Sequence, residues 1–150
     1  MNVLVVCTGN TCRSPMAAGL LKRLAQSKGL AIEARSAGLA PHIGQRVAEN
    51  AAKAMAELGI DISGELSKKV TPDLVRWADL VVTVQQEHAD YFAEDFPEAT
   101  SKLRCLQPDV PDPYCGPLAE YRQVRDILKD LLLRFIESLG GTMISSRAPE

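Results

Sequence analysis

The sequence lacks the features that mark membrane proteins, exported proteins and nucleic-acid-binding proteins. Its 150 residues carry a formal net charge of −2, so no basic field points to nucleic acid or to an anionic membrane surface. No apolar run approaches the length of a membrane span, and the amino end lacks the charged-then-apolar layout of a signal peptide. We therefore expect no membrane partner, no nucleic acid partner and a cytoplasmic location.

Cysteine is also scarce, and the spacing of the four cysteines argues against a metal site. Four cysteines in a chain without an export signal fit a reducing cytoplasm better than a disulfide framework. Cys7 and Cys12 could form half of a zinc site, but Cys105 and Cys115 are not a second close pair and the two histidines are isolated. The spacing of the cysteines and histidines thus does not predict a metal site.

No internal repeat, low-complexity tract or domain linker divides the chain. A chain of this length can build one substantial hydrophobic core. We expect a single domain over residues 1–150, with a short polar tail, residues 142–150, that is mobile.

The most informative stretch is a buried strand followed by a polar loop and a helix start. Val3–Val6 is a run of four aliphatic residues, which predicts a short central strand of a parallel sheet. After the loop, Ser14 suits a helix N-cap and Pro15 suits the first helical turn. A loop between the carboxyl end of a strand and the amino end of a helix offers free N–H groups and a helix dipole, which bind anions.

Cys7 opens this loop and Arg13 closes it, and this spacing predicts phosphate chemistry on a thiol. The helix dipole and Arg13 favour the thiolate form of Cys7, and the planar guanidinium can hold two phosphate oxygens. Ser14 is placed to donate a hydrogen bond to the sulfur. We predict covalent catalysis with Cys7 as nucleophile. The other residues expected to bind the substrate in this loop are Thr8, Gly9, Asn10, Thr11, Cys12 and Ser14.

Other interpretations of the loop explain less of it. It is not a Walker loop, since no Gly-Lys-Ser/Thr follows, and it lacks the three glycines of a dinucleotide-binding turn. A buried, inert thiol at the end of a strand is a further alternative. Burial alone would not require Arg13 at this spacing.

The rest of the chain alternates strands with helices, which predicts an α/β sandwich around a parallel sheet. After the first strand, strands are expected at residues 30–35, 80–84 and 102–106. Helices are expected at residues 15–28, 46–58, 72–77, 85–93 and 118–139, the last one ending at Gly140 and Gly141.

A long, proline-rich loop, residues 107–117, follows the predicted fourth strand, at the end of the sheet where ligands bind in such folds. Asp112 in this loop is a candidate general acid, since a leaving group must be protonated as its bond to phosphorus breaks. An aspartate before a proline is also a common turn residue, and the residues alone leave both interpretations open.

The two motifs together resemble the low-molecular-weight protein tyrosine phosphatases. The resemblance rests on Val6-Cys7-Thr8-Gly9-Asn10-Thr11-Cys12-Arg13-Ser14-Pro15 near the start and Asp112-Pro113-Tyr114 near the end, and it covers nearly the full chain. It implies Cys7 as nucleophile, Arg13 as phosphate clamp, Ser14 as thiolate partner, Asp112 as general acid, and Asn10 and Ser36 as supports of the loop. It also implies a four-stranded parallel sheet flanked by helices on both faces, a three-layer α/β/α sandwich, with no cofactor or metal.

Three positions depart from the family's usual pattern. Glu65 stands near a position where the family commonly has a histidine that supports the loop. Ala40 lies where the wall of the substrate pocket often carries an aromatic residue, which leaves Tyr114 as one aromatic wall. Thr11 replaces a bulky aliphatic residue, and here the chain is similar to the protein arginine phosphatase branch of the family.

We therefore expect a protein phosphatase that hydrolyses phosphoarginine, phosphotyrosine or both in protein substrates, with phosphoarginine slightly favoured. The alternatives are a strict tyrosine phosphatase and an arsenate reductase of the same fold, which would relay electrons through Cys105 and Cys115. A phosphoprotein-binding module without turnover would not need both Cys7 and Asp112.

Overall fold

Four parallel strands form the sheet that positions the site, in the order β2-β1-β3-β4. The computed structural model describes the backbone of residues 1–147 and the side chains of residues 1–139. The strands are β1 Asn2–Cys7, β2 Glu33–Gly38, β3 Leu80–Thr83 and β4 Leu103–Cys105. Because β1 lies inside the sheet, it has a neighbouring strand on either side, and at its carboxyl end Cys7 pairs with Gly38 of β2 while Val6 pairs with Thr83 of β3.

Helices cover both faces of the sheet, as the alternating pattern predicted. One face carries α1 Arg13–Ser27, α2 Glu49–Ala56 and α5 Leu118–Arg147, and the other carries α3 Pro72–Trp77 and α4 Gln86–Asp95. A 3₁₀ helix, Pro97–Lys102, precedes β4. The three-layer α/β/α sandwich predicted from the sequence is confirmed.

Strand β1 is buried on both faces, which explains its unbroken aliphatic run. Val3 and Val5 pack into the core shared with α1, α2 and α5. Leu4 and Val6 pack into the second core, formed with α3 and α4. Burial on both faces holds the end of this strand, and hence Cys7, in a fixed position.

The second strand begins later than predicted. It covers Glu33–Gly38 rather than residues 30–35, because it pairs with the whole of β1, from Asn2 opposite Glu33 to Cys7 opposite Gly38. Gly38 allows a close approach there, since a Cβ at this position would lie 2.6 Å from the carbonyl oxygen of Thr8. The end of β2 therefore packs directly against the loop after Cys7.

The second helix is shorter than predicted. It covers Glu49–Ala56 rather than residues 46–58, because Arg46 pairs with Leu66 in an isolated antiparallel bridge before the helix begins. The third helix follows the prediction, and the Thr71 hydroxyl caps it by accepting from the Leu74 N–H at 3.2 Å.

Ser14 does not cap the first helix, contrary to our expectation. The helix begins at Arg13 with Cys12 at the N-cap position and with no side-chain cap. The Ser14 hydroxyl is instead engaged with the Cys7 sulfur and the Asn10 amide. The polar contacts of the loop have replaced an ordinary helix cap.

The last helix extends beyond the two glycines that were predicted to end it, as far as Arg147. Glycine costs a helix interior only about 1 kcal/mol relative to alanine, so Gly140 and Gly141 do not have to stop it. The prediction of a mobile tail concerns residues 142–150, of which 148–150 lie outside the described residues. Among the described helices, none combines the length and apolar composition needed to cross a bilayer.

Candidate active site

The carboxyl ends of the parallel strands bring the predicted site residues to one edge of the sheet. Residues 7–14, the phosphate loop, follow β1, and residues 107–117, the acid loop, follow β4. Between them lies a cleft of about 250 Å³. Its lining residues are Cys7, Thr8, Gly9, Asn10, Thr11, Cys12, Arg13, Ala40, His42, Gln45, Asp112 and Tyr114.

A slightly larger cleft, of about 290 Å³, lies between α1, β2 and residues 59–68. It contains no cysteine, and Ser36 is the only predicted site residue in its lining. The chemistry predicted from the sequence therefore lies in the smaller cleft.

The Cys7 sulfur is buried within the phosphate loop, with 4% of the residue exposed. The Ser14 Oγ lies 2.9 Å from the sulfur, and the Asn10 N–H donates to it at 3.3 Å. These two contacts hold the sulfur in a fixed position within the loop.

The backbone amides around the sulfur are available to an anion. In the described structure the N–H groups of residues 8, 9 and 11–13 donate to no protein acceptor. These amides belong to a loop and to the first turn of α1, where the helix dipole adds partial positive charge. This arrangement can cradle the non-bridging oxygens of a phosphate.

Asn10 holds the shape of the phosphate loop. It adopts a left-handed conformation with φ of 58°, which asparagine tolerates better than most residues. Its Nδ2 donates to the Ser14 Oγ and to the Ser36 Oγ, both at 2.9 Å. Its Oδ1 accepts from the backbone N–H of Lys68 at 3.0 Å. Every polar atom of this buried side chain is thus used.

Arg13 is 5% exposed and joins three parts of the site. Its Nη1 donates to Gln85 Oε1 at 2.9 Å and to the Val110 carbonyl at 2.8 Å. Its Nη2 lies 3.7 Å from the Asp112 Oδ2. The contacts of Nη1 fix the guanidinium in place, and its other N–H groups remain for substrate oxygens.

Asp112 and Tyr114 lie on the solvent side of the cleft. The Asp112 side chain is 55% exposed, and its Oδ1 accepts from the Tyr114 N–H at 3.0 Å, so the residue also makes the turn contact that the sequence left open. Tyr114 is 69% exposed. A carboxyl group here can reach a leaving group that enters from solvent.

Cys12 lies under the loop rather than in its opening. It is buried, and its Sγ is 3.4 Å from the Tyr121 hydroxyl of α5. Burial raises the pKa of the Cys12 thiol, although hydrogen bonds with Tyr121 and Thr11 lower it. Cys12 therefore favours the neutral thiol.

The wall of the cleft that lies toward β2 is small and polar. Ala40, His42 and Gln45 line it, and Thr11 lines the loop side. Tyr114 carries the only six-membered aromatic ring among the lining residues, and the imidazole of His42 is the other aromatic group there. Glu65, which stands near the family's supporting histidine, makes no hydrogen bond to the phosphate loop within the described chain.

Three contacts of the phosphate loop were missed by sequence reasoning. Gln85 binds Arg13, the Lys68 backbone binds Asn10, and His88 Nε2 lies 2.9 Å from the Thr8 Oγ1. The only available signal was that residues 85–88 follow a buried strand, at the edge of the sheet where ligands bind. The Lys68 contact has no sequence signal, since it uses the backbone.

Comparison with known proteins identifies the family that this site belongs to. The family model "Low molecular weight phosphotyrosine protein phosphatase" matches residues 2–143. A protein-arginine-phosphatase from Geobacillus stearothermophilus is 38% identical and aligns over 91% of this chain and 95% of its own length. A low molecular weight protein-tyrosine-phosphatase, Ptp, from Acinetobacter johnsonii is 37% identical over 75% of this chain and 80% of its own.

A solved structure supports the same relationship. The YwlE arginine phosphatase, in a cysteine-to-serine variant with a phosphorylated active-site serine, superimposes with a TM-score of 0.89 at 34% identity. The match covers 93% of this chain and 96% of that one.

Proposed function

This chain belongs to the low molecular weight phosphotyrosine protein phosphatase family, and on that premise we propose that Cys7, Arg13 and Asp112 hydrolyse phosphorylated side chains of proteins. The observation that carries the proposal is the surrounding of the Cys7 sulfur. It combines a hydroxyl at 2.9 Å, an amide at 3.3 Å and a ring of unpaired N–H groups in one loop. Few other reactions require a buried thiolate at the centre of an oxyanion cradle.

In the first step, the Cys7 thiolate attacks phosphorus in line with the bond to the leaving group. An S–P bond forms as the P–N or P–O bond of the substrate breaks. The loop amides and Arg13 stabilise the charge on the three non-bridging oxygens. Asp112, in its acid form, gives its proton to the departing nitrogen or oxygen.

In the second step, water hydrolyses the cysteinyl phosphate. Asp112, now a carboxylate, accepts a proton from the water as its oxygen attacks phosphorus and the S–P bond breaks. The thiolate of Cys7 is restored as the leaving group, and the Ser14 hydroxyl at 2.9 Å stabilises it. Free phosphate then leaves the loop.

We propose phosphoarginine as the preferred substrate, with phosphotyrosine also turned over. The support is the small, polar wall formed by Thr11, Ala40 and Gln45. The aromatic surfaces available to a phenyl ring are the phenol of Tyr114 and the smaller imidazole of His42. A guanidinium gains an additional contact, because the hydroxyl of Thr11 can accept a hydrogen bond from its N–H groups. Two protein-arginine-phosphatases, 35% and 38% identical, align over 93% and 91% of this chain, whereas the tyrosine phosphatase from Acinetobacter johnsonii, at 37% identity, aligns over 75%, and this difference in coverage supports the same choice.

The test is Thr11→Ile, assayed on matched phosphoarginine and phosphotyrosine peptides. The Thr11 carbonyl accepts from the Ala48 N–H at 2.9 Å, so the backbone is held and the substitution changes mainly the wall. We expect the ratio of kcat/KM values to move toward phosphotyrosine by roughly ten- to two-hundred-fold. A change of this size corresponds to the gain or loss of one contact, which contributes about 1–3 kcal/mol. Thr100→Ile, at an exposed position, is the control.

If the wild-type protein does not hydrolyse phosphoarginine and Thr11→Ile does not change the ratio of kcat/KM values, the chain is a strict tyrosine phosphatase.

We also propose a cytoplasmic location, since all four cysteines are free thiols and a thiolate enzyme needs a reducing compartment.

A further inference from the structure

His88 is a buried titratable residue with no part in the mechanism above. It lies in the first turn of α4, on the sheet face opposite α1, and is 2% exposed. Its Nε2 lies 2.9 Å from the Thr8 Oγ1, and its Nδ1 has no hydrogen-bond partner in the described structure. A histidine with one ring nitrogen engaged and the other unpaired has a preferred tautomer.

The unpaired Nδ1 indicates where the proton of the neutral ring lies. Were the proton on Nδ1, a buried N–H donor would be left without an acceptor, which is the rarer and costlier arrangement. With the proton on Nε2, the unpaired atom is only a lone pair. The ring then donates from Nε2 to the Thr8 oxygen.

The surroundings of His88 keep the ring neutral. Burial, and then the charge of Arg13 from α1, lowers the pKa of His88 to about 4. Asp112 and Asp109 of the acid loop act in the opposite sense, but more weakly. At neutral pH the ring therefore carries one proton, and the hydrogen bond to Thr8 has one direction.

This direction decides what the Thr8 hydroxyl can do. Thr8 lines the cleft next to Cys7, and its carbonyl accepts from the Ala40 N–H at 3.1 Å. If the Thr8 oxygen accepts from His88, its own hydrogen remains without a protein acceptor and is available to the cleft. In the other tautomer that hydrogen would be used on the ring.

We propose that His88 is a positioning residue which orients Thr8, so that the Thr8 hydroxyl donates to an oxygen of the phosphate bound in the loop. Thr8 becomes a side-chain donor to the phosphoryl group in addition to the loop amides and Arg13. The proposal rests on the proposed phosphatase function, because it names a further donor at the same site.

The experiment measures the binding of inorganic phosphate by NMR titration, alongside turnover of p-nitrophenyl phosphate. Thr8→Val removes the hydroxyl at nearly constant volume and leaves α4 untouched. His88→Gln places an amide near the position of Nε2, whereas His88→Asn places one near Nδ1. Tyr91→Phe, on the exposed side of α4, is the control.

We expect Thr8→Val to weaken phosphate binding about tenfold, which corresponds to about 1.4 kcal/mol. His88→Asn should weaken it by a similar factor, and His88→Gln should recover most of the loss. The double variant Thr8→Val/His88→Asn should bind no more weakly than Thr8→Val alone, since both act through one hydroxyl. Nitrogen shifts of wild-type His88 should show the proton on Nε2.

Unchanged phosphate affinity in Thr8→Val overturns the proposal, and so does a proton on Nδ1 or an additive double variant. The first two of these outcomes do not depend on a folded His88 variant, because Thr8→Val and the wild-type spectrum decide by themselves. Phosphate binding needs no turnover. A wild-type protein that binds phosphate but hydrolyses no phosphomonoester or phosphoarginine would instead contradict the proposed function.

Discussion

The phosphate loop and the acid loop face each other across the cleft but are built in different ways. In the phosphate loop, Cys7, Asn10, Arg13 and Ser14 are all buried, and their side chains bind one another or neighbouring elements. In the acid loop most residues are exposed, and only Val110 and Pro113 are buried.

This difference follows from what each loop has to do. The oxyanion cradle must be in place before the reaction, because donors that have to reorganise stabilise a transition state poorly. The general acid must instead reach leaving groups presented by bulky protein substrates, which requires exposure. We infer that binding of phosphate is preorganised and that proton transfer is the more adaptable part of the site.

Arg13 is the link between the two loops. Its guanidinium donates to the carbonyl of Val110, in the acid loop, at 2.8 Å and lies 3.7 Å from Asp112. The Val110 N–H in turn donates to the Val84 carbonyl at 2.9 Å. The acid loop is thus anchored at one buried residue beside an exposed acid.

Removing the nucleophile should have the largest effect on turnover while leaving phosphate binding almost unchanged. Cys7→Ser should lower kcat by roughly 10⁴-fold or more, because the alkoxide needed for attack is not available at neutral pH. Phosphate affinity should stay within about threefold, under 1 kcal/mol, since the amides and Arg13 remain. Steady-state turnover and phosphate titration measure the two effects.

Cys105→Ser, at the end of β4, is the matched control and should keep full activity. Substantial hydrolysis by Cys7→Ser in metal-free buffer would show that cysteine is not the nucleophile.

Removing the general acid should lower the rate of the chemical step by an amount that depends on the leaving group. Asp112→Asn should lower kcat by roughly 10²- to 10⁴-fold for phenyl phosphate and much less for p-nitrophenyl phosphate, whose leaving group needs no proton. Asp109→Asn, in the same loop, keeps an oxygen to accept from the Gln86 N–H and should change neither rate. Equal losses on the two substrates would exclude Asp112 as the proton donor.

Removing the Asn10 side chain should test whether side-chain hydrogen bonds hold the phosphate loop in shape. Asn10→Ala leaves Ser14, Ser36 and the Lys68 N–H without their partner, and it should lower stability by about 1–3 kcal/mol and kcat/KM by roughly tenfold or more. Urea unfolding and steady-state kinetics measure these changes.

Asn10→Gly separates the two reasons for an asparagine here. Glycine accepts the left-handed backbone without strain, so a similar loss in Asn10→Gly would assign the effect to the hydrogen bonds. Asn50→Ala, which removes a single bond to the Gly116 carbonyl, is the control and should cost less. Full recovery in Asn10→Gly would mean that the backbone conformation alone matters.

The smallest expected effect is on the pH dependence of stability. The fold lowers the pKa of His88 from about 6.5 to about 4. Between these pH values the unfolded chain is protonated at His88 and the folded chain is not, so acidification favours unfolding. The contribution of His88 to stability is full above pH 6.5 and falls as the pH drops toward 4, by at most about 3 kcal/mol.

Urea unfolding at pH 7 and pH 4.5 measures this loss. Carboxyl groups also titrate in this range, so the informative quantity is the difference between wild type and His88→Gln. The variant should lose less stability on acidification. An identical loss in the two proteins would show that His88 is not held neutral by the fold.

The fold was largely predictable from the sequence because its signals are local. The aliphatic run of β1, the Thr71 cap and the alternation of strands with helices each depend on neighbouring residues. Two of the errors, in the bounds of β2 and α2, came where pairing with distant residues decides. β2 takes its bounds from its register with β1, and α2 starts late because Arg46 bonds to the strand-like segment at Leu66.

The sequence alone was enough to predict Cys7 and Arg13 as a reacting pair, because both lie within one short strand-to-helix loop, where spacing fixes their proximity, whereas it left the role of Asp112 open. Tertiary structure decided what supports them. Gln85 lies at the N-cap of α4 and His88 in its first turn, and the Lys68 contact is made by a backbone N–H that carries no residue identity. A short loop can specify its own chemistry and part of its own support, whereas the remaining contacts that hold it come from groups about 60 to 80 residues away that only folding brings to it.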